Sequence, residues 1–357
     1  MAIKPTHIPL PTSGAKRFHY WANPTPDEIG ATSAEFLHLL PGPTHIYIAG
    51  KNPRRARVVV TLSHGNEPSG LQAIFEVLKR RVEPAVDIHC FIPSVDAAKQ
   101  APGFIYRTLP HHRDFNRCFK LPFDSDEQGL LALELLQSLQ AIAPECLIDV
   151  HNTSGSSPPF GVTTFMDARH NALVSLFTHR TIVTDLQLGS LMEISESFLP
   201  TVTIECGGAL DPESANLAFE GLQRYITRED VLSGGYSDLI HEFFHNPIRL
   251  ELQQGSDIAY GDHCLFEGGV TLVPDIENHN FGSVDASCRL GFVSGELAAV
   301  LCAKDADGVE RINDYFQVRD GELFPTRVLK LFMVTSNPEI ARKDCLFYLV
   351  ADDLPPN

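Results

Sequence analysis

The sequence has no long apolar run and no closely spaced pair of cysteines. No stretch of about 18 consecutive apolar residues occurs in its 357 residues, and its beginning lacks the apolar segment of a secretory signal. The eight cysteines are scattered, without a C-x-x-C motif. We therefore expect no membrane partner, reduced and mostly buried thiols, and a soluble protein of the cytoplasm.

Positive charge is scarce as well. The chain carries 28 lysines and arginines against 45 aspartates and glutamates, which gives a formal charge of −17. Binding to nucleic acid needs a basic surface, so we expect no nucleic-acid partner. A hydrophobic fraction of 43% excludes wholesale disorder. The length exceeds what one hydrophobic core usually supports and therefore favours two domains.

Strand and helix patterns alternate through the first two thirds of the chain. Short β-branched or apolar runs predict strands, and apolar residues at helical spacing predict helices between them. This alternation predicts an α/β fold with helices on both faces of a sheet. The predicted strands are residues 57–62, 86–92, 146–150 and 201–205, and the predicted helices are residues 71–81 and 128–142.

The two ends of the chain have a different character. Residues 1–43 contain seven prolines and few apolar runs, which indicates an extended N-terminal arm. In residues 236–357, short apolar runs alternate with turn residues, a pattern typical of antiparallel β structure. We therefore predict an arm at 1–43, a catalytic domain at 44–235 and a β-rich C-terminal domain at 236–357.

A possible metal set follows two of the predicted strands. His64 and Glu67 come after the first strand, and His151 comes after the third. In open α/β sheets the carboxyl ends of strands hold ligands, and two histidines with one glutamate are a donor set that catalytic zinc uses. The alternatives are a solvated loop histidine, a glutamate at a helix start and a hydrogen-bonded histidine at a strand end.

Further polar residues could do chemistry next to such a metal. Glu205 ends the fourth predicted strand, where a carboxylate is costly unless it is paired or acts as a general base. Asn116 and Arg117 place an amide beside a guanidinium, a combination suited to a carboxylate. Arg107 and Arg113 are further cationic candidates. Each of these residues could instead be an ordinary surface or ion-pair residue.

A competing zinc motif occurs later in the chain. His241 and His245 belong to an H-E-x-x-H sequence, which binds zinc in zincins when a helix carries both histidines on one face. Asn246 and Pro247 follow at once and limit any helix to about two turns. We therefore favour a short amphipathic segment here and keep the zincin as a lower alternative.

Four motifs, taken in order, resemble those of a known family. They are SHGNE, DFNR, DVHNT and IECGG, and they are similar to the motifs of the succinylglutamate desuccinylase/aspartoacylase branch of the zinc carboxypeptidase-like hydrolases. The motifs cover roughly residues 45–235. The resemblance implies an α/β/α sandwich with a mixed sheet, followed by a smaller β-rich domain that narrows the active-site channel.

The resemblance also implies roles for individual residues. His64, Glu67 and His151 would bind one zinc ion per chain, and Glu205 would activate a water molecule. Asn116 and Arg117 would hold the α-carboxylate of the substrate. The family's oxyanion arginine corresponds by spacing to Leu109, so Arg107 fills that role only if the loop is two residues longer. The other choice is Arg113.

The sequence departs from aspartoacylases at the position of their specificity arginine. The matching stretch, residues 191–196, has no arginine and contains Glu193 and Glu196. This departure argues against N-acetylaspartate and favours a neutral or cationic side chain, such as that of a diamino acid. We treat both glutamates as candidate substrate-binding residues.

The sequence thus predicts a zinc-dependent amidohydrolase that removes the acyl group from an N-acyl amino acid, a small-molecule substrate. Two alternatives stay open: a metallocarboxypeptidase for short peptides, with the same residues in a more open groove, and a metal-binding relative without catalysis. The sequence leaves the acyl group, the amino acid and a homo-oligomeric state undetermined.

Overall fold

The fold is described from a computed structural model, which describes residues 4–9, 16–195, 198–234, 241–305, 307–343 and 345–351. The chain divides into two compact units. The first unit contains Met1–Asn152 and Pro159–Phe243, and the second contains Thr153–Pro158 and Phe244–Asn357. The border predicted between residues 235 and 236 lies outside the described residues, and the division into arm and domains stays a prediction.

One large sheet lies mainly in the first unit. Its strands are β1 (His19–Ala22), β2 (Thr44–Ile48), β3 (Asn52–Thr61), β4 (Val86–Ile92), β5 (Leu147–Thr153), β6 (Phe160–Thr163), β7 (Arg180–Val183), β8 (Thr201–Gly208) and β9 (Glu242–His245). Within the described residues they form a nine-stranded sheet in the order β1-β2-β4-β3-β5-β8-β6-β7-β9. β3 pairs in parallel with β4 and β5, whereas β2 with β4 and β6 with β8 are antiparallel. The sheet is therefore mixed, as predicted.

Helices cover both faces of this sheet. They are α1 (Ser33–Leu39), α2 (Ser69–Lys79), α3 (Val95–Lys99), α4 (Glu127–Ile142), α5 (Ala168–Val174) and α6 (Ser214–Thr227). Successive side chains of a strand point to opposite faces. Val59 accordingly belongs to the hydrophobic cluster that contains α2 and α6, while Val58 and Val60 belong to the cluster that contains α4. This arrangement confirms the predicted α/β class with helices on both sides.

Part of the proline-rich segment predicted as an arm contributes regular structure. β1 pairs in parallel with β2, with His19 opposite Thr44. α1 begins after Thr32, whose side chain accepts a hydrogen bond from the backbone of Glu35 at 3.2 Å, and it buries Phe36. A capped helix with a buried aromatic residue is stable over two turns despite the prolines around it.

The second unit consists mainly of short strands. They are β10 (Ile248–Leu252), β11 (Asp257–Tyr260), β12 (Gly269–Leu272), β13 (Ser283–Val284), β14 (Gly291–Val293), β15 (Leu301–Lys304), β16 (Phe316–Arg319), β17 (Glu322–Pro325), β18 (Leu329–Phe332) and β19 (Phe347–Ala351). Short helices accompany them: α7 (Leu297–Val300), α8 (Ile312–Tyr315) and α9 (Pro338–Lys343). The described strands form two five-stranded sheets, β13-β18-β19-β10-β15 and β11-β12-β14-β17-β16. Most pairings are antiparallel, which confirms the predicted β-rich character.

None of the helices in the described part of the chain combines the length and the apolar character needed to span a membrane. All eight cysteines are free thiols; Cys264 is exposed, Cys288 is half-buried and the others are buried.

Candidate metal site

His64 lies in a tight turn directly after β3. Leu62 adopts a left-handed conformation with a φ of 56°, which turns the chain away from the sheet. A Cβ on Gly65 would lie 2.6 Å from the backbone oxygen of Tyr106, so only glycine fits at this close approach. The backbone NH of Gly65 donates to the oxygen of Arg107 at 2.9 Å. These features bring the segment around Arg107 against the turn that carries His64.

His64, Glu67 and His151 converge on one point. The Nδ1 atom of His64 lies 2.7 Å from Oε1 of Glu67, and Nδ1 of His151 lies 2.7 Å from Oε2. All three side chains are buried, and their donor atoms lie within 4.8 Å of one another. β3 and β5 are parallel neighbours, which explains why residues distant in the sequence meet at the ends of these strands.

Two further carboxylates lie beside the outer nitrogens of the imidazoles. Nε2 of His64 lies 2.8 Å from Oδ1 of Asp114. Nε2 of His151 lies 2.8 Å from Oδ2 of Asp149, although without hydrogen-bond geometry. Histidines that bind metals commonly have such carboxylate partners, which orient the ring and fix its tautomer. Both nitrogens that face Glu67 are therefore Nδ1 atoms, available as metal ligands.

Asp114 and Asp149 had no predicted role, although both belong to the quoted motifs. Asp149 lies two residues before His151 on β5, so both side chains point to the same face of the strand. This spacing is a signal that could have identified it. Asp114 belongs to the DFNR motif, but its approach to His64 depends on how the intervening chain folds.

Glu205 lies next to the cluster on β8, the sheet neighbour of β5. It is only 7% exposed, and its Oε2 atom has no hydrogen-bond partner among the described residues. Burial, opposed in part by the charge of His151, raises the pKa of Glu205 to about 7. A carboxyl group of this kind can take up and release a proton near neutral pH.

The environment of Glu67 favours its charged form. Burial alone acts to raise the pKa of Glu67, but the charges of His64 and His151 and the hydrogen bonds to both rings outweigh this effect. The pKa of Glu67 is consequently held below its ordinary value. The middle donor of the cluster is therefore a carboxylate at neutral pH.

Asn152 fixes the local backbone around the cluster. Its Oδ1 accepts from the backbone NH of Ser69 at 3.0 Å, and its Nδ2 donates to the backbone oxygen of Gly207 at 3.0 Å. Asn152 thereby connects the start of α2, just after Glu67, with the end of β8, just after Glu205. The DVHNT motif contains this asparagine, but its spacing alone predicts no role for it.

The two candidate oxyanion arginines lie in different places. Nη1 of Arg107 is 3.7 Å from Oε1 of Glu67, so its guanidinium borders the cluster. Arg113 pairs instead with Asp124, at 2.9 Å, and with Asp126. The structure thus brings Arg107, rather than Arg113, to the three predicted ligands.

The predicted substrate-binding residues are partly engaged in holding the backbone. Oδ1 of Asn116 accepts from the backbone NH of Leu191 at 2.8 Å, and Arg117 donates to the backbone oxygen of Asn116 at 2.9 Å. Glu193 is buried, and its Oε1 accepts from the backbone of Leu188 at 2.7 Å and of Ser190 at 2.8 Å. Glu196 lies outside the described residues.

The zincin alternative is wrong. The last four residues of the H-E-x-x-H sequence, Glu242–His245, form the strand β9 and not a helix. Residues four apart on a strand are separated by roughly 13 Å, too far for His241 and His245 to share one metal ion. Asn246 and Pro247 follow the strand, and β10 begins at Ile248.

The donor set fits a transition metal such as zinc. Two imidazole nitrogens and one carboxylate leave a fourth tetrahedral position open, which is typical of catalytic zinc. The nearby Oε2 of Glu205, buried and without a partner among the described residues, is suited to a ligand in that fourth position. Within the described residues this is the one His/Cys/Asp/Glu group with metal-site spacing.

Solved structures share the fold of this chain. No protein-family model and no protein of curated function matches the sequence. A succinylglutamate desuccinylase/aspartoacylase from Rhodobacter sphaeroides is 14% identical, with a TM-score of 0.52 over 86% of this chain and 88% of its own. A family protein from Shewanella amazonensis is 14% identical, with a TM-score of 0.54 over 87% of this chain and 94% of its own.

A third neighbour, from Shewanella frigidimarina, carries the same family description. It is 12% identical, with a TM-score of 0.55 over 87% of this chain and 92% of its own. Because the sequence identities are this low, the three structural matches establish a shared fold alone. The resemblance that the motifs indicated is therefore confirmed as a shared fold with succinylglutamate desuccinylase/aspartoacylase family proteins.

Proposed function

We propose that the protein is a zinc-dependent hydrolase that cleaves the amide bond of an N-acyl amino acid. The observation that carries this proposal is the buried His64–Glu67–His151 cluster beside a carboxylate oxygen of Glu205 that has no partner in the described part of the chain. The shared fold with succinylglutamate desuccinylase/aspartoacylase family proteins supports the choice of reaction. We place the enzyme in the cytoplasm, with a small-molecule substrate.

The metal and Glu205 have complementary parts in the reaction. When bound, zinc would lower the pKa of a water molecule and polarise the acyl carbonyl. Glu205 takes the proton of the attacking water and passes it to the departing amine nitrogen. The pKa of Glu205, raised by burial to about 7, suits both halves of this transfer.

Three further residues act on the substrate in this proposal. Arg107 borders the cluster and donates to the oxygen that becomes negative in the transition state. Arg117 binds the α-carboxylate of the amino acid. Asn116 assists through its amide nitrogen, since its Oδ1 is already bonded to Leu191.

The contacts of Glu193 bear on the proposed preference for an amino acid with a neutral or cationic side chain. One oxygen of Glu193 is used to hold the backbone before residue 191, so this glutamate is a weaker candidate for binding a cationic group. The proposed preference for a neutral or cationic side chain therefore depends mainly on the lack of an arginine in residues 191–196. We retain it as a proposal about substrate choice.

Metal analysis tests the site most directly. We expect about one zinc ion per purified chain and loss of that zinc in His64→Ala. His38→Ala is a matched control, since His38 is exposed on α1 and should keep full zinc content. Active protein without any bound metal would refute the proposal.

The role of Glu205 is tested by Glu205→Gln. We expect this variant to retain zinc while kcat falls by about 10²- to 10⁴-fold on the best substrate of an N-acyl amino acid panel. The panel should include N-acetylaspartate, N-acetyldiaminobutyrate and short peptides. A rate close to wild type for Glu205→Gln would exclude the assigned role, and a preference for peptides would favour the carboxypeptidase.

A further inference from the structure

A second chain of hydrogen-bonded side chains lies in the first unit, and the proposed hydrolysis does not use it. Nδ1 of His170 lies 2.6 Å from Oδ1 of Asp167, and Nε2 lies 2.5 Å from Oγ of Ser195. Asp167 precedes α5 and His170 lies in the first turn of that helix, while Ser195 follows a short 3-10 helix, Leu191–Ile194. The order carboxylate, imidazole, hydroxyl is the arrangement of an activated serine.

The environment sets the direction of these hydrogen bonds. Asp167 also accepts from the backbone NH groups of Arg169, at 2.9 Å, and His170, at 3.0 Å, and it binds the Arg169 side chain. Asp167 is thus held as a carboxylate, and Nδ1 of His170 donates to it. Burial lowers the pKa of His170 below its ordinary value, so the ring is neutral at pH 7. Its Nε2 then accepts the hydroxyl proton of Ser195.

Two additional features support reactivity at Ser195. The backbone NH of Thr201 donates to Oγ of Ser195 at 3.0 Å, and such a donor stabilises the negative charge that forms when the hydroxyl proton leaves. Ser195 is partly exposed, whereas His170 is buried. Phe165, which is 47% exposed, contacts the His170 ring edge-on at a centroid distance of 5.7 Å. Its ring gives an apolar reagent a surface beside the imidazole.

We propose that Ser195 is a nucleophilic serine that accepts an acyl or phosphonyl group from a small apolar electrophile. Oγ of Ser195 forms a bond to the carbonyl carbon or phosphorus while the bond to the leaving group breaks. The hydroxyl proton passes to Nε2 of His170 and from there to water. Asp167 orients the ring, and the leaving group departs with the electron pair of the broken bond.

Labelling of the full chain with an alkyl fluorophosphonate tests this proposal. The reaction forms an oxygen–phosphorus bond and releases fluoride, and peptide mass spectrometry locates the adduct. We expect an adduct on Ser195 that forms equally well after metal removal with a chelator. This separates the serine from the proposed zinc chemistry.

Variants show whether the hydrogen-bonded chain is responsible. We expect His170→Gln to slow labelling at least tenfold and Asp167→Asn to slow it less. Ser175→Ala is a matched control, since Ser175 is a buried serine at the end of the same helix whose Oγ donates to the backbone of Asn171. Circular dichroism establishes that each variant is folded.

Two results would overturn the proposal, and the first needs no variant. The first is that the native protein shows no adduct on Ser195 under conditions that fully label a known serine hydrolase. The other is an adduct that forms at the same rate in folded His170→Gln. Either result would mean that the three side chains only connect α5 to the start of β8.

Discussion

Arg107 and Asp114 form a two-point ion pair beside the candidate metal site. The Nε and Nη2 atoms of Arg107 donate to Oδ2 of Asp114 at 3.2 and 2.9 Å. The other carboxylate oxygen lies 2.8 Å from Nε2 of His64. Asp114 therefore orients both the imidazole of His64, a candidate metal ligand, and the arginine that we assign to the oxyanion.

Asp114→Asn should weaken zinc binding without disrupting the fold. Asparagine has nearly the same size but no negative charge, so His64 loses the partner that fixes its tautomer and raises its basicity. Loss of such a partner typically lowers metal affinity by about 10- to 100-fold. Competition with a chromophoric chelator measures this change.

Asp124→Asn is the matched control for that experiment. Asp124 pairs with Arg113 at 2.9 Å and is more than half exposed, so its replacement should leave zinc affinity unchanged. Equal affinity in Asp114→Asn and the wild type would show that His64 does not depend on Asp114.

The central elements of the fold could be predicted because they follow simple periodicities. β4 occupies Val86–Ile92, the predicted residues, and α4 begins one residue before its predicted start. In residues 1–43 the many prolines favoured an extended arm, so the sequence did not predict α1 or the pairing of β1 with β2. Strand pairing is a long-range property, and no local pattern in residues 1–43 shows that β1 pairs with β2 at the edge of the sheet.

The grouping of His64, Glu67 and His151 in the structure could also be predicted in part from the sequence. The three candidate ligands and Glu205 could be proposed because each lies in the carboxyl-terminal half of a strand or in the segment after it, where a short motif marks it. Asp114 was not assigned, since its contact with His64 spans 50 residues and depends on the path of the loop between them. The same loop brings Arg107 to the cluster, a choice that spacing alone left open.

Arg107→Ala should lower kcat/KM far more than Arg113→Ala. Removal of one donor to an oxyanion typically costs about 10²- to 10³-fold in rate. Arg113 pairs with Asp124 and Asp126 instead, so we expect Arg113→Ala to stay within about threefold of wild type. Steady-state kinetics on the best N-acyl amino acid compares the two variants. A larger loss in Arg113→Ala would reverse the assignment.

Arg57 should be essential for the stability of the first unit. Its side chain is fully buried and donates to the backbone oxygens of Tyr225 at 2.6 Å, Arg228 at 2.7 Å and Glu229 at 2.8 Å. Arg57→Met would remove this donor from the buried oxygen of Tyr225 and the half-buried oxygen of Arg228, so we expect the free energy of unfolding to fall by about 3 kcal/mol. Urea unfolding followed by circular dichroism measures it.

The control for this experiment lies on the same strand. Arg54 is exposed on β3, so Arg54→Met should change the free energy of unfolding by less than about 0.5 kcal/mol. If the two variants unfolded at the same urea concentration, the buried contacts of Arg57 would not contribute measurably.

A pair of histidines should make the fold sensitive to acid. Nε2 of His45 lies 2.9 Å from Nδ1 of His89, and the His45 ring stacks on Phe91 at a centroid distance of 4.2 Å. Burial, then the charges of His89 and Lys16, lower the pKa of His45 to about 3. Burial also lowers the pKa of His89, against the opposing charge of Asp87. Both rings are therefore neutral in the fold at pH 7.

The sign of the pH effect follows from these shifts. An unfolded histidine takes up a proton near pH 6.5, whereas folded His45 stays neutral until about pH 3. Below pH 6.5 the unfolded chain binds more protons, so the free energy of unfolding falls as the pH falls. At pH 5.5 the loss from His45 amounts to about 1.4 kcal/mol, and above pH 7.5 it vanishes.

His45→Phe should reduce this acid sensitivity. Phenylalanine can keep the stacking on Phe91, but it loses the hydrogen bond to His89, so we expect a loss of about 1 kcal/mol at pH 7.5. Between pH 7.5 and 5.5, however, the variant should lose less stability than the wild type, because one proton-linked site is gone. Urea unfolding at both pH values measures the difference, with His38→Gln on exposed α1 as control. The same pH dependence in His45→Phe and the wild type would locate the acid sensitivity elsewhere, since only a group that titrates differently in the folded and unfolded chain can produce it.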